Sequence, residues 1–209
     1  MNEYYQSQYQ QDYILNELYF KNKKSGVFVD IGAHDGKTLS NTYFYEKQLN
    51  WSGICIEPLP KVFNQLKKNR NCTLIEGCAW SENTKKTFRC IEGYSEMLSG
   101  IVDSYPEQHV KRISEESQHH NQIINDIIIN CYNINDLLIT NGLTRVDLLS
   151  IDIEGGELEV LKAIDYDKIH IDVILSENNY EDFNLRKFLI GKGYSCTYRI
   201  GVDDVFKKQ

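Results

Sequence analysis

The sequence contains no long apolar segment. None of its 209 residues belongs to an apolar run near the roughly 20 residues that a membrane-spanning helix requires. Residues 1–11 are polar and rich in Tyr and Gln, without the basic and apolar regions of a secretory signal. We therefore expect a soluble, cytoplasmic protein that has no membrane partner and is not exported.

Paired cysteine motifs are also missing. The six cysteines are scattered along the chain without a Cys-x-x-Cys pair, and several lie inside apolar runs. His119 and His120 stand in a charged segment with no ligand-spaced partner. These patterns favour reduced thiols in a core and predict no zinc site.

Basic residues are too few for an extended phosphate-binding surface. The chain has 23 Lys and Arg against 30 Asp and Glu, for a formal net charge of −7. Nucleic-acid affinity depends on clustered cationic side chains. Short basic clusters at 21–24, 61–70 and 85–89 are interpreted as solvated faces, so no nucleic-acid partner is predicted.

What is present is a regular alternation of strand and helix patterns. Apolar runs typical of buried strands lie at residues 27–31, 53–56, 73–75, 146–153 and 171–175, and helical patterns lie at 13–20, 38–47, 60–69, 134–141, 157–164 and 182–190. Alternating βα units predict an α/β fold with a doubly wound, mostly parallel sheet. Two β-rich stretches, 194–199 and 202–206, meet at Gly201 and predict a C-terminal antiparallel hairpin.

The length predicts one domain, residues 1–209, which starts with a helical segment within residues 1–26. The alternation breaks within residues 83–130, a long polar insertion with a possible strand at 86–91. Such a connection is too long for a routine loop. We predict a lid or a mobile loop, while residues 123–131 could either pair as an edge strand or extend the insertion.

The strongest functional signal is the sequence DIGAHDG at residues 30–36, between the first strand and a helical pattern. Gly32 and Gly36 permit backbone conformations and a close approach that a Cβ atom would block. A dinucleotide fingerprint requires a third glycine, which is absent here. A P-loop needs one more residue between its two glycines, and Asp30 would repel a phosphate beside the loop.

S-adenosylmethionine is the cofactor that suits this loop. Its sulfonium and amino groups fit the carboxylates of Asp30 and Asp35. Glu57 ends the second strand, where it can accept hydrogen bonds from both ribose hydroxyls. The alternative is that Asp30 caps a turn and Glu57 is an exposed strand end. We predict S-adenosylmethionine as the cofactor.

Two blocks of the sequence resemble the FkbM-type methyltransferases. They are VFVDIGAHDGKTLSNTYFYEKQLNWSGICIEPLP, starting at Val27, and SIDIEGGELEVLKAID, starting at Ser150, and the similarity extends from about residue 27 to residue 176. The resemblance implies a class I methyltransferase fold and O-methylation of sugars or related natural products. One departure is His34, where the family often has asparagine.

By position, the resemblance implies a cofactor site around the glycine loop. Asp30 would order the loop, and Glu57 would hold the ribose. The other implied cofactor contacts are Gly32, Ala33, His34, Gly36, Asn41, Pro58, Cys78, Ala79 and Asp152. Trp80 would either bracket adenine or serve as a core aromatic residue.

The fourth strand ends in the sequence DIEGGE at residues 152–157. Asp152 and Glu154 share one face if the strand continues that far. Either carboxylate could accept the proton of an acceptor hydroxyl, or both could join Glu177 in binding a divalent ion, which the sequence does not require. The alternative is capping of the next helix, a role that suits Glu157 better.

The insertion contributes residues 94–97 and His109, which could close over the acceptor. His109 could be a general base or merely an exposed side chain. The predicted function is methyl transfer to a hydroxyl of a small molecule or glycan, with a possible homodimer. The alternatives are a protein or non-sugar acceptor, and a non-catalytic module that retains the fold.

Overall fold

The computed structural model describes residues 3–209. Its helices are α1 (Gln11–Leu15), α2 (Tyr43–Leu49), α3 (Pro60–Asn69), α4 (Glu107–His119), α5 (Ile134–Thr140), α6 (Glu157–Ala163) and α7 (Phe183–Gly191). Its strands are β1 (Val27–Ile31), β2 (Ser52–Glu57), β3 (Thr73–Glu76), β4 (Cys78–Trp80), β5 (Thr84–Glu92), β6 (Gly100–Ile101), β7 (Ile123–Asn133), β8 (Arg145–Ile151), β9 (His170–Glu177), β10 (Tyr194–Ile200) and β11 (Asp203–Lys208). Among these residues, no helix has both the length and the apolar character needed to cross a membrane.

Seven strands form the main sheet in the order β10-β11-β9-β8-β1-β2-β3. Strands β3, β2, β1, β8 and β9 run parallel, whereas β11 runs antiparallel to both β9 and β10. The predicted doubly wound sheet and its C-terminal hairpin are confirmed. The strand order reverses between β1 and β8, so a crevice opens where these two strands end.

The N-terminal segment packs against the main sheet. Helix α1 continues into a π-helical turn, Asn16–Phe20, so the predicted helix at 13–20 starts two residues earlier. Gln11 is almost fully buried, and its Nε2 donates to Asp203 Oδ2 at 2.6 Å. This bond ties the first residue of α1 to the first residue of β11.

Helix α2 begins at Tyr43, which corrects the predicted start at residue 38. Asp35 Oδ1 accepts the backbone N–H groups of Lys37 and Thr38 at 2.8 and 2.7 Å, and Leu39 has a φ of 56°. Both features hold residues 37–39 in a turn. The apolar spacing that predicted a longer helix carries no information on this side-chain capping.

The insertion is a folded unit, which corrects the prediction of a mobile loop, while the lid stays a prediction. Strands β4, β7, β5 and β6 form a second sheet in that order, and β5 pairs with β7 along its whole length. Arg89 and Asp126 lie opposite each other on β5 and β7 and form a two-bond ion pair at 2.8 Å. The strands predicted at 86–91 and 123–131 are therefore confirmed. The inner side chains Phe88, Ile101 and Ile129 join the core of the main sheet. Polar residues alternate with them on the outer face of the second sheet, so the sequence pattern does not reveal this contribution to the core.

Candidate active site

A cavity of about 420 Å³ lies where β1, β2, β8 and β9 end. The N-terminal segment and the insertion form its other walls. The predicted site residues that line it are Asp30, Gly32, Ala33, His34, Asn41, Glu57, Pro58, Cys78, Ala79, Asp152, Glu154 and Glu177. The structure thus brings most of the predicted site together, whereas Asp35, Gly36, Tyr94, Ser95 and His109 lie outside the lining.

Gly32 joins the ends of three strands. Its φ is +83°, and a Cβ atom added there would lie 1.8 Å from the carbonyl oxygen of Asp152. The N–H groups of Gly32 and Ala33 both donate to Ile56 O, at 3.0 and 3.1 Å. No side chain fits between β1 and β8 at this point, so the glycine is required by the close approach of two backbones.

A buried network beneath the loop holds Asp30. Thr42 Oγ1 donates to Asp30 Oδ2 at 2.5 Å, and the guanidinium of Arg70 lies 3.7 Å from the same oxygen. Arg70, whose side chain is fully buried, also donates to Glu46 Oε2 at 2.6 Å and to Gly36 O at 3.1 Å. Burial raises the pKa of Asp30, and the charge of Arg70 opposes that shift. Sequence reasoning missed both residues: Thr42 lies inside the first resemblance block but received no role there, and Arg70 belongs to no motif.

Gly36 serves the fold, which corrects its prediction as a cofactor contact. Its φ is +77°, and an added Cβ atom would meet Leu66 and Arg70 side chains at 2.4 and 2.6 Å. The geometry also argues against a P-loop. The N–H groups of Lys37 and Thr38, which a phosphate would need, already donate to Asp35.

Glu57 is held by two backbone donors. His34 N donates to its Oε2 at 3.0 Å, and Leu59 N donates to its Oε1 at 2.8 Å. The residue is only 5% exposed, and burial raises the pKa of this carboxyl to about 7. Each oxygen keeps a lone pair for a further donor, which a pair of ribose hydroxyls can supply.

Asn41 lines the cavity from the chain segment that follows the glycine loop. Its Nδ2 donates to Ser150 Oγ at 3.1 Å, while its Oδ1 is buried and accepts no hydrogen bond from any described residue. His34 has a φ of 49°, and its Nε2 lies 3.2 Å from Glu96 Oε1 of the insertion. An unpaired acceptor beside the glycine loop fits the ammonium group of an amino acid.

The third strand leads to an apolar end of the cavity. Gly77 N donates to Glu57 O at 3.1 Å, which places the following residues, Cys78 and Ala79, beside the second strand. Trp80 lines the cavity and is also 7% exposed within the main core. Both roles foreseen for Trp80 are therefore compatible with its position.

An acidic group occupies the other end of the cavity. Asp152, Glu154 and Glu177 each offer an oxygen, and these oxygens lie within 4.8 Å of one another. Asp152 is open to the cavity, yet protein surrounds it on the other sides, and this loss of hydration, with Asp203 nearby, raises its pKa to about 7. Burial and the Asp152 charge raise the pKa of Glu154 to about 9 and raise the pKa of Glu177. The spacing also suits the divalent ion that the sequence allows without requiring it.

Glu157 has the capping role that the sequence suggested for it. Its Oε1 accepts the N–H groups of Ile153 and Gly155 at 3.0 and 3.1 Å. The carboxyl therefore faces the backbone of the turn before α6. Asp152 and Glu154 remain the carboxyls of this turn that line the cavity.

His109 is buried behind the cavity wall, which corrects its prediction as an exposed side chain or a group that meets the acceptor. It is 0% exposed. Its Nδ1 lies 3.2 Å from Glu154 Oε2 and 3.2 Å from Tyr180 Oη. Its Nε2 lies 3.1 Å from Leu98 O, so His109 contacts two residues that line the cavity, Leu98 and Glu154.

Several lining residues had no signal in the sequence. They come from the N-terminal segment, the β9–α7 loop, the β10–β11 connection and the insertion: Gln8, Tyr9, Gln11, Asn179, Val202, Asp203 and Arg112. Only the tertiary fold brings these segments to the mouth of the cavity.

A seven-stranded sheet of this order, with a glycine turn after its first strand and a carboxylate at the end of its second, defines a class I methyltransferase. The sequence profile of the methyltransferase FkbM domain matches residues 30–200. The chain belongs to this family, and the family implies S-adenosylmethionine as the methyl donor.

Solved structures of low sequence identity are also similar to the chain. A methyltransferase from Pyrococcus furiosus is 13% identical over 94% of this chain and 80% of that chain, with a TM-score of 0.44. Methyltransferase FkbM from Methylobacillus flagellatus is 16% identical over 92% of this chain and 47% of that chain, with a TM-score of 0.49. A precorrin-6y C5,15-methyltransferase from Geobacter metallireducens is 16% identical over 100% and 92% of the two chains, with a TM-score of 0.46. No curated protein matches the sequence.

Proposed function

We propose that this chain is an S-adenosylmethionine-dependent O-methyltransferase whose acceptor is a hydroxyl group of a sugar or glycan. The observation that carries the proposal is a single cavity with two unlike ends. One end has the donors and acceptors of a cofactor loop, around Gly32 and Glu57, and the other has the carboxyls of Asp152, Glu154 and Glu177.

The residues of the first end fit the cofactor. Glu57 would accept the ribose hydroxyls, and the unpaired Asn41 Oδ1 would accept the methionine ammonium group. Cys78, Ala79 and Trp80 would enclose the adenine ring. When bound, S-adenosylmethionine supplies a methyl group that its sulfonium makes electrophilic.

The residues of the second end can accept the proton that the acceptor hydroxyl loses. A base works best when its pKa lies near the working pH. The pKa of Asp152 is raised to about 7, and its carboxyl is open to the cavity. We assign Asp152 as the general base, with Glu154 and Glu177 orienting the acceptor through hydrogen bonds.

The lining beside Asp152 favours a sugar over an apolar acceptor. Gln8, Asn179 and Asp203 offer amide and carboxylate groups that match hydroxyls. Tyr9 also lines the cavity and is 42% exposed, so its ring is available to the apolar face of a pyranose. The family resemblance points to the same acceptor class.

The test is methyl transfer from deuterated S-adenosylmethionine to a panel of acceptors, followed by mass spectrometry. The panel contains methyl glycosides of hexoses and deoxyhexoses, and it also contains catechol and a serine peptide as non-sugar acceptors. We expect a deuterated methyl group on sugar hydroxyls, and we expect Asp152→Asn to abolish it. Asp167→Asn, which removes an exposed carboxylate, is the matched control. Transfer to the non-sugar acceptors alone would contradict the acceptor class.

A further inference from the structure

The N-terminal segment reaches the cavity as a loop that is held at its start. We call residues 6–11 the N-terminal loop. The buried carboxyl of Asp12 accepts the backbone N–H group of Gln6 at 2.7 Å and the hydroxyl of Ser7. Ser7 also pairs with Leu39, a residue of the cavity lining, as an isolated parallel bridge. These contacts fix the backbone of the N-terminal loop against the cavity wall.

Gln11 connects the other end of the N-terminal loop to the acidic end of the cavity. Its Oε1 accepts the backbone N–H group of Tyr9 at 2.7 Å, and its Nε2 donates to Asp203 Oδ2 at 2.6 Å. Asp203 pairs with Glu177 across β11 and β9. These contacts place Tyr9 at the end of the cavity where the proposed acceptor would bind.

The ring of Tyr9 is supported by backbone and is still partly open. A Cβ atom added to Gly201 would lie 2.2 Å from Tyr9 Cδ2 and 2.5 Å from Tyr9 Cγ. The ring thus packs directly on the β10–β11 connection, and a side chain at residue 201 would displace it. Tyr9 is nevertheless 42% exposed and lines the cavity. A fixed aromatic ring with open surface offers contact area to the C–H groups of a sugar at a low cost in conformational entropy.

The carboxyl of Asp203 joins this ring in the cavity lining. Gln11 occupies only one of the lone pairs on the carboxyl, so the others can accept the hydrogens of sugar hydroxyls. The N-terminal loop and residues 201–203 lie outside residues 30–200, which the FkbM profile matches. The profile therefore describes the cofactor loop and the strand-end carboxyls but not this part of the wall. A choice among acceptors can be made here without any change to the groups that carry the chemistry.

We propose that the N-terminal loop selects the acceptor: the ring of Tyr9 stacks on a pyranose whose C–H groups lie together on one face, and Asp203 binds hydroxyls of that sugar. Galactosides have this shape, because their axial hydroxyl leaves three neighbouring C–H groups on the opposite face. Glucosides alternate their C–H groups between the two faces and offer the ring a smaller patch. The inference rests on the proposed function, since it names the residues that choose the sugar.

Sugar binding by the N-terminal loop can be measured without methyl transfer. Saturation-transfer NMR would be recorded on methyl β-galactoside and methyl β-glucoside with the protein and S-adenosylhomocysteine, while the aromatic protons are irradiated. We expect saturation of the galactoside C–H protons by the native protein and by Tyr9→Phe, and its loss in Tyr9→Ala. Tyr198→Ala removes a ring of similar exposure, 48%, that does not line the cavity, and it is the matched control. No saturation of either sugar by the native protein, or equal saturation by Tyr9→Ala, would overturn the proposal.

Turnover separates the choice of acceptor from the binding of the cofactor. We expect the native kcat/KM to be roughly fivefold higher for the galactoside than for the glucoside. Tyr9→Ala should remove that preference and raise the KM for the galactoside by about tenfold, while the Kd for S-adenosylmethionine stays unchanged and Tyr9→Phe keeps the preference. Equal use of the two sugars by the native protein, or the native preference in Tyr9→Ala, would overturn the proposal even if sugars are methylated. Sugar binding that depends on Tyr9, without methyl transfer to any sugar, would support this subsite and contradict the proposed function alone.

Discussion

Glu57 provides the sharpest prediction about the cofactor, through the substitution Glu57→Gln. The native carboxylate can accept two ribose hydrogen bonds, and bonds to a charged group are each worth about 1.5–3 kcal/mol. The amide keeps one acceptor oxygen but turns an NH₂ group toward His34 N or Leu59 N. A loss of about 2–3 kcal/mol corresponds to a rise in Kd of roughly 30- to 150-fold.

The same carboxyl makes cofactor binding depend on pH. Because the pKa of Glu57 is raised to about 7, the group is mostly protonated at pH 6 and mostly ionised at pH 8. Only the ionised carboxyl can accept hydrogen bonds from both ribose hydroxyls. The affinity for S-adenosylmethionine should therefore rise by about tenfold from pH 6 to pH 8. Glu57→Gln should remove that contribution.

Calorimetric titration at both pH values measures the two effects together. Glu76→Gln is the matched control, since Glu76 pairs with Glu57 across β3 and β2 but is exposed and does not line the cavity. An unchanged Kd and an unchanged pH dependence in Glu57→Gln would refute the assignment of Glu57 to the ribose.

Three other substitutions separate cofactor binding, turnover and stability. Asp152→Asn should leave the Kd for S-adenosylmethionine within a few-fold of the native value while lowering kcat by about 100-fold or more, as measured by methyl transfer. Gly32→Ala should abolish cofactor binding and lower the melting temperature sharply because of the 1.8 Å approach to a carbonyl oxygen, whereas Gly142→Ala, at a φ of +71° in open space, should cost only about 1 kcal/mol. Arg70→Met should reduce the free energy of unfolding in urea by about 3–5 kcal/mol, because it removes the buried guanidinium that lies against the carboxyls of both Asp30 and Glu46. Equal urea midpoints for Arg70→Met and the native protein would contradict that account.

The parts of the fold that the sequence predicted are those with a local cause. Strand β1 and helix α3 have the predicted bounds, since one is an apolar run and the other opens with a proline at its first turn. The start of α2 was wrong because the side chain of Asp35 holds the preceding turn. The insertion looked like a loop because polar residues on its outer strand faces mask the side chains that join the core.

The residues of the candidate site also separate into those that a local sequence pattern predicts and those that only the tertiary structure reveals. The glycine loop and the strand-end carboxyls stand in recognisable motifs, and their predicted positions at the cavity follow from the parallel sheet. Arg70 and Asp203 act through contacts between distant segments, which no local pattern encodes. His109 was singled out for its chemistry, but only the structure places its ring behind Glu154 instead of over the acceptor.

The most direct test of the central claim is a calorimetric titration of the purified protein with S-adenosylmethionine and S-adenosylhomocysteine, with NAD and ATP–magnesium as controls. The account predicts micromolar binding of the first two ligands and no heat from the controls. Binding of ATP–magnesium, or no binding of S-adenosylmethionine, would contradict it.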